Sequence, residues 1–285
     1  MFRRAAFFVL AILVMLLVPV GLQAQQEEND PYLLAVIDDF NDILRSEWMD
    51  LRMQAEQIEV LGKQDERSDA RIHRQPSRWV PSDPRRLADG DRITYMVDTS
   101  EGAGGLDPAE AEGAVDRATA TWASDSCMVT VPVVKRAGDG TDPDIFDSLL
   151  GYGGFGDFRT ADIVHAGWMP PEFFELIAGP GGGTSVIALS VTFIFVTPDG
   201  VPTDLNGDGL LDRAANEVYY NAQFSGMSHL DLETVALHEL GHSLGLGHVN
   251  NPVSVMNPVY RGVHRSLSPR DHAALCPIWR AWPRL

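Results

Sequence analysis

The stretch HELGHSLGLGH, His238 to His248, constrains this chain more than any other feature. His238 and His242 stand four residues apart, so on a helix they lie one turn apart on the same face. Two imidazole nitrogens on that face can take adjacent corners of a tetrahedral zinc site. Glu239 is rotated from His238 by about 100°. It is therefore free to act on water as a general base rather than as a ligand. His248 lies six residues beyond His242. On a continuous helix it would face nearly the opposite side, about 9 Å further along the axis. It reaches the same ion only if the helix stops and the chain turns back. Gly245 sits where that stop is required, because glycine accepts positive φ without strain. The competing reading is a histidine-rich end of a surface helix. Two ligands, a base, a breaker and a third ligand in geometrically coherent order favour zinc.

The signature resembles that of the metzincin peptidases, HExxHxxGxxH, and the following SVMNPVY resembles their Met-turn. The resemblance places Met256 beneath the zinc. Pro258 and Tyr260 match the Pro-x-Tyr segment that walls the main specificity pocket in the matrixin branch. LSPRDHAAL is similar to the matrixin closing helix, and RITYMVD, ATATWAS and ADIVHAGW to its first strand, first helix and third strand. The likeness is close over residues 231–275, looser back to Arg92, and does not cover residues 1–90. It implies an α+β zincin fold: a twisted mixed β-sheet, an active-site helix, a C-terminal helix, and a cleft between N- and C-terminal subdomains. It implies a zinc endopeptidase acting on proteins or peptides, with Glu239 as the base. Two departures stand out. Asn257 occupies the place where matrixins usually carry tyrosine, and His165 is the only histidine in the middle of the domain before His229, so the family's second zinc is not expected. The rival from another class is a non-catalytic, exported metal-binding or adhesion module on the same scaffold. Glu239, which such a module could lose, is present.

A second motif is DLNGDGLLD, Asp204 to Asp212. Asp204, Asn206 and Asp208 alternate as a hard cation requires, with the Leu210 carbonyl and Asp212 as further ligands and Gly209 at the sharp turn. Ala215 stands where an EF-hand would place its bidentate glutamate, so the stretch resembles the shorter calcium loops of extracellular proteins. Glu217 is an additional candidate, and an acidic turn without an ion is the alternative.

The organisation of the rest follows from composition and punctuation. With a net charge of −18 the chain repels nucleic acid and anionic lipid, and neither is expected as a partner. Residues 1–24 read as a signal peptide: Arg3 and Arg4, an apolar run from Ala5 to Val20, and Ala24 before the cut. A retained anchor is the alternative, but the run is short and closed by Pro19 and Gly21, so no stable anchor is expected. The product would be secreted or periplasmic. In an oxidising compartment Cys127 and Cys276 are expected to bridge, two buried thiols being the alternative. Asp30 and Pro31 open a helix whose apolar stripe is Leu33, Ile37, Phe40, Leu44 and Trp48. Residues 25–90 form an N-terminal helical extension and linker, a candidate propeptide, and residues 91–285 the catalytic domain. The proform of animal matrixins is held latent by a propeptide cysteine. No cysteine precedes Cys127, so a carboxylate such as Asp83 or Asp89 would have to block the site here; a plain stabilising extension is the other reading. A peptidase of this kind aligns substrate along a sheet edge, and Gly181 to Phe193 is the candidate neighbouring strand, with an ordinary buried strand as the alternative.

Overall fold

The computed structural model describes residues 30–47, 52–62, 71–72, 76–86, 89–98, 105–138, 141–154, 160–224, 230–279 and 282. The signal-like segment 1–24 lies outside the described residues.

The strands are β1 (Met53–Gly62), β2 (Arg71–Ile72), β3 (Ser77–Arg78), β4 (Ile93–Val97), β5 (Val133–Lys135), β6 (Ile163–Met169), β7 (Val186–Phe195) and β8 (Leu211–Asn221). The helices are α1 (Pro31–Glu47), α2 (Pro108–Ala123), α3 (Phe146–Leu150), α4 (Pro171–Ala178), α5 (Gly182–Ser185), α6 (Leu232–Ser243) and α7 (Pro269–Trp279). The sheet runs β2-β1-β7-β8-β6-β4-β5, with β3 alongside the start of β8. Strands β8, β6, β4 and β5 are parallel; β7 and β1 run antiparallel to their neighbours. This is the α+β zincin fold with a mixed sheet.

Successive residues of a strand face opposite sides, and here both sides are covered. On β8, Tyr219 joins one apolar cluster while Val218 and Tyr220 join the other. The first cluster packs the sheet against α1, α3 and α4, the second against α2, α6 and α7. Two-sided burial explains why β7 reads as an almost unbroken apolar run.

Helix α1 starts as its sequence prescribes, with the Tyr32 N–H donating to Asp30 Oδ1 at 2.8 Å. Its stripe Leu33, Ile37, Phe40 and Leu44 is at most 1% exposed and sits inside the first core. Burial of each such side chain contributes roughly 1.5–3 kcal/mol. The N-terminal extension is thus built into the core. Asn41 fastens α1 to β1, donating to the Ala55 carbonyl at 3.0 Å and accepting from the Ala55 N–H at 2.8 Å.

The stretch 76–86, read as part of a linker, is packed. Trp79 is fully buried and donates to the Ser243 carbonyl at 3.0 Å. Arg86 is 5% exposed and paired with Asp162 at 2.8 Å. Residues 124–131 form turns after α2, and the apolar run that follows is a strand only over Val133–Lys135. Cys127, in those turns, is joined to Cys276 on α7 by a disulfide spanning 149 residues. Among the described residues no helix is long and apolar enough to cross a membrane.

Candidate metal centre

Helix α6 begins with Asp231, whose carboxylate accepts from the Thr234 N–H at 3.0 Å, and ends at Ser243. Gly245 follows with φ +92, and a side chain there would meet the Ser77 carbonyl at 2.9 Å. Both the left-handed backbone and the close approach require glycine. The turn brings His248 back to His238 and His242. The three rings lie 4.7–5.3 Å apart by centroid, and one ring nitrogen from each falls within 4.8 Å of the others.

The tautomers follow from the partners. His238 Nδ1 is 2.6 Å from the Val255 carbonyl and His242 Nδ1 is 2.8 Å from that of Leu246. A carbonyl only accepts, so each Nδ1 carries the proton and each Nε2 presents a lone pair. Those two Nε2 atoms face each other at 3.0 Å. Two lone pairs at that separation repel, and a cation between them and His248 turns the repulsion into ligation. Glu239, fully buried, has both carboxylate oxygens without a hydrogen-bond partner. Burial first, and then the charge of Glu59, push it well above the usual carboxylate range. Burial holds His238 down at about 4, so it is neutral and competent as a ligand. The residues fit a zinc ion: three nitrogen donors, fixed outer partners, and an unengaged carboxylate beside them.

Met256 lies beneath, fully buried, against Gly241 and Trp122. Its carbonyl accepts from the Val249 N–H at 2.7 Å, which secures the residue next to His248. The turn is anchored by Asp271, which accepts from Ser254 Oγ and, at 3.2 Å, from the Val255 N–H. Asn257 keeps the turn closed through a bond from its N–H to the Ser254 carbonyl at 3.3 Å. Val259 and Tyr260 line the space beside His238, Pro258 turns its carbonyl to the Gly62 N–H, and the Tyr260 hydroxyl accepts from the Asp231 N–H at 2.9 Å.

Several residues at the site escape a reading by motif. Arg213 on β8, fully buried, donates to the carbonyls of His242 and Ser243 at 2.8 Å each and so closes the end of α6. Glu59 on β1, 2% exposed, places Oε2 3.6 Å from His248 Nδ1. Glu59 is thus a second buried carboxylate near the triad, beside His248, in addition to Glu239. Asp83 is spent on Arg85 at 2.7 Å, and Asp89 pairs with Arg92 at 3.7 Å. The edge of β7, expected to be open to substrate, is occupied by β1 from Met53↔Phe195 to Gly62↔Val186. Beyond β7, Gly62 donates to the Pro258 carbonyl and accepts from the Tyr260 N–H, both at 2.9 Å. Leu61, His238, Tyr260 and His264 enclose a space of only about 10 Å³. A cavity of about 480 Å³ lies instead at the start of α6, between Leu106, Trp168, Tyr220 and Val235, away from the triad.

In the loop Asp204–Asp212, Asp204 accepts from the N–H groups of Asp208 and Gly209 at 3.1 and 2.9 Å. Asp208 accepts from Asn206 at 2.8 Å and is paired with Arg78. The Leu210 N–H donates to Asp208 Oδ1 at 2.8 Å. Asp212 accepts from the loop's own Leu205 N–H at 2.9 Å and from Arg85 and Thr203 at 2.6 Å each. Glu217 is remote in function from the loop: it accepts from the N–H groups of Ile145 and Phe146 at 2.7 and 3.0 Å. His165 is a core residue, fully buried, 2.7 Å from the Tyr220 hydroxyl and lowered to about 3 by burial.

Residues 195–279 match the matrixin peptidase family. The chain is 48% identical over 78 residues to matrilysin of Rattus norvegicus, covering 26% of this chain and 27% of that protein. It is 47% identical over 60 residues to macrophage metalloelastase of the same species, 21% of this chain and 12% of the relative. Karilysin of Tannerella forsythia is 33% identical over 94 residues, 28% of this chain and 20% of the relative. The matched stretches thus span about a quarter or less of the relatives' own lengths. They support a zinc metalloendopeptidase in general.

Proposed function

Since this chain is a matrixin-like metzincin, we propose that it is an exported zinc endopeptidase cleaving proteins or peptides. The observation that carries the reading is the pair of facing Nε2 atoms on His238 and His242, 3.0 Å apart, next to a buried and unengaged Glu239. His238, His242 and His248 would hold the zinc. Bound there, it supplies a Lewis acid for the scissile carbonyl and lowers the pKa of water to about 7. Glu239 takes the proton from the attacking water on a carboxylate oxygen and delivers it to the leaving amine. Val255 and Leu246 hold the two imidazoles in the required tautomer, and Met256 supports them from below. Glu239→Ala is expected to retain zinc and lose peptide cleavage. Cleavage by the purified variant would overturn the assignment of the base.

Export is supported by the signal-like residues 1–24 and by the Cys127–Cys276 bridge, which persists in an oxidising compartment. On this reading residues 25–90 are the N-terminal extension and residues 91–285 the catalytic domain, working outside the cytoplasm or in a periplasm. A calcium ion at Asp204, Asn206, Asp208, the Leu210 carbonyl and Asp212 belongs to the same reading as a structural metal. Asp204→Ala is expected to reduce the calcium-dependent gain in melting temperature. An unchanged gain would remove the ion from this loop.

A further inference from the structure

Asp98, Asp142 and Asp144 bring one carboxylate oxygen each within 4.8 Å of one another. They come from the end of β4 and from the connection between β5 and β6. Asp144 is fully buried and neither of its oxygens has a hydrogen-bond partner; Asp142 Oδ1 and Asp147 Oδ2 are in the same condition. A buried carboxylate without donors costs several kcal/mol unless a cation or a proton answers it. No arginine or lysine among the described residues pairs with Asp142, Asp144 or Asp147. The backbone leaves room for the cluster. Gly154, at φ +75, approaches so closely that a Cβ would stand 2.3 Å from Asp144 Oδ1 and 3.1 Å from Asp147 Oδ1, and its N–H holds Asp142 at 2.8 Å. We propose that Asp98, Asp142 and Asp144 bind a hard divalent cation, calcium first among them, because every donor is a carboxylate oxygen. The ion ties the β5–β6 connection to the end of β4.

The test is full-length protein freed of divalent ions, compared with Asp144→Asn and with Asp204→Ala, each titrated with calcium and with terbium and melted with and without calcium. The Asp144→Asn protein is expected to bind one equivalent fewer than wild type and to lose part of the calcium-dependent rise in melting temperature. In chelator it melts at or above wild type, since one buried charge is gone. A merely structural carboxylate would instead lower melting under both conditions. Equal stoichiometry and equal calcium response in wild type and Asp144→Asn would overturn the site.

Discussion

Gly241 lies in the last turn of α6 with its Cα against the Met-turn. A Cβ at this position would stand 2.2 Å from Met256 Sδ, 2.8 Å from its Cε and 3.0 Å from Trp122 Cζ2. Two opposed effects therefore follow from Gly241→Ala. Alanine gains about 0.5–1 kcal/mol of helix propensity over glycine. Overpacking a filled core costs about 1–3 kcal/mol. The net is a loss of roughly 0–2.5 kcal/mol, which in a chain of this size lowers the melting temperature by only a few degrees. The effect on the metal is larger. Met256 cannot move without its neighbour Val255, whose carbonyl holds His238 Nδ1 at 2.6 Å, or without its own carbonyl, which holds Val249 next to His248. Disturbing such outer partners lowers metal affinity by about 10- to 100-fold. Calorimetry of the metal-free proteins gives the first quantity, and competition with a chromophoric chelator gives the second. The expected signature is a small melting shift with a large loss of zinc affinity. A variant that melts above wild type and binds zinc equally would refute the claim that Met256 supports the ligands through contact with Gly241.

Other outcomes are open to direct measurement. Replacing Cys127 and Cys276 together with serine should cost about 2–5 kcal/mol, read as a shift in urea midpoint, because the bridge closes a very long loop in the unfolded chain. His165 gives a pH dependence of fixed sign. Its folded value is lowered by burial from 6.5 to about 3, with Asp116 opposing, so the folded state binds fewer protons than the unfolded one. Its contribution is fully present above about 6.5 and is lost at about 1.4 kcal/mol per pH unit as pH falls toward 3. Metal-free His165→Phe should flatten that part of the stability curve; an unchanged slope would assign acid sensitivity elsewhere.

The zinc helix, its breaking glycine, the Met-turn and the closing helix were legible because their chemistry is local. Each depends on spacings of a few residues, and α6 ends at Ser243 for the reason Gly245 supplies. Strand β1 was not legible, and the cause is specific. Met53 and Ala55 face the core, then a bulge between Ala55 and Gln57 shifts the alternation, and Ile58 and Val60 resume it out of step. A period of two broken in the middle of ten residues gives no strand signal. The turn-rich stretch around Trp79 looked like a linker because its proline and glycine content reports backbone bends, and its burial comes from partners more than a hundred residues away, such as Ser243. The alternating acidic residues of Asp204–Asp212 are legible locally, whereas the pairing of Asp212 with Arg85 is a long-range fact that alternation cannot carry.

The pairing of β1 with β7 has a consequence for how the chain survives before it does any work. β7 is ten residues long, apolar and without a proline. Left bare, such an edge is a template on which other chains add strands, and the hazard grows with concentration. A protein folding in a crowded compartment would carry that hazard from its first moment. Because β1 precedes β7 in the chain, the cover is already synthesised when the edge forms. The segment that fills the cleft thereby also keeps newly made copies from joining one another, and its loss would trade solubility for an open groove.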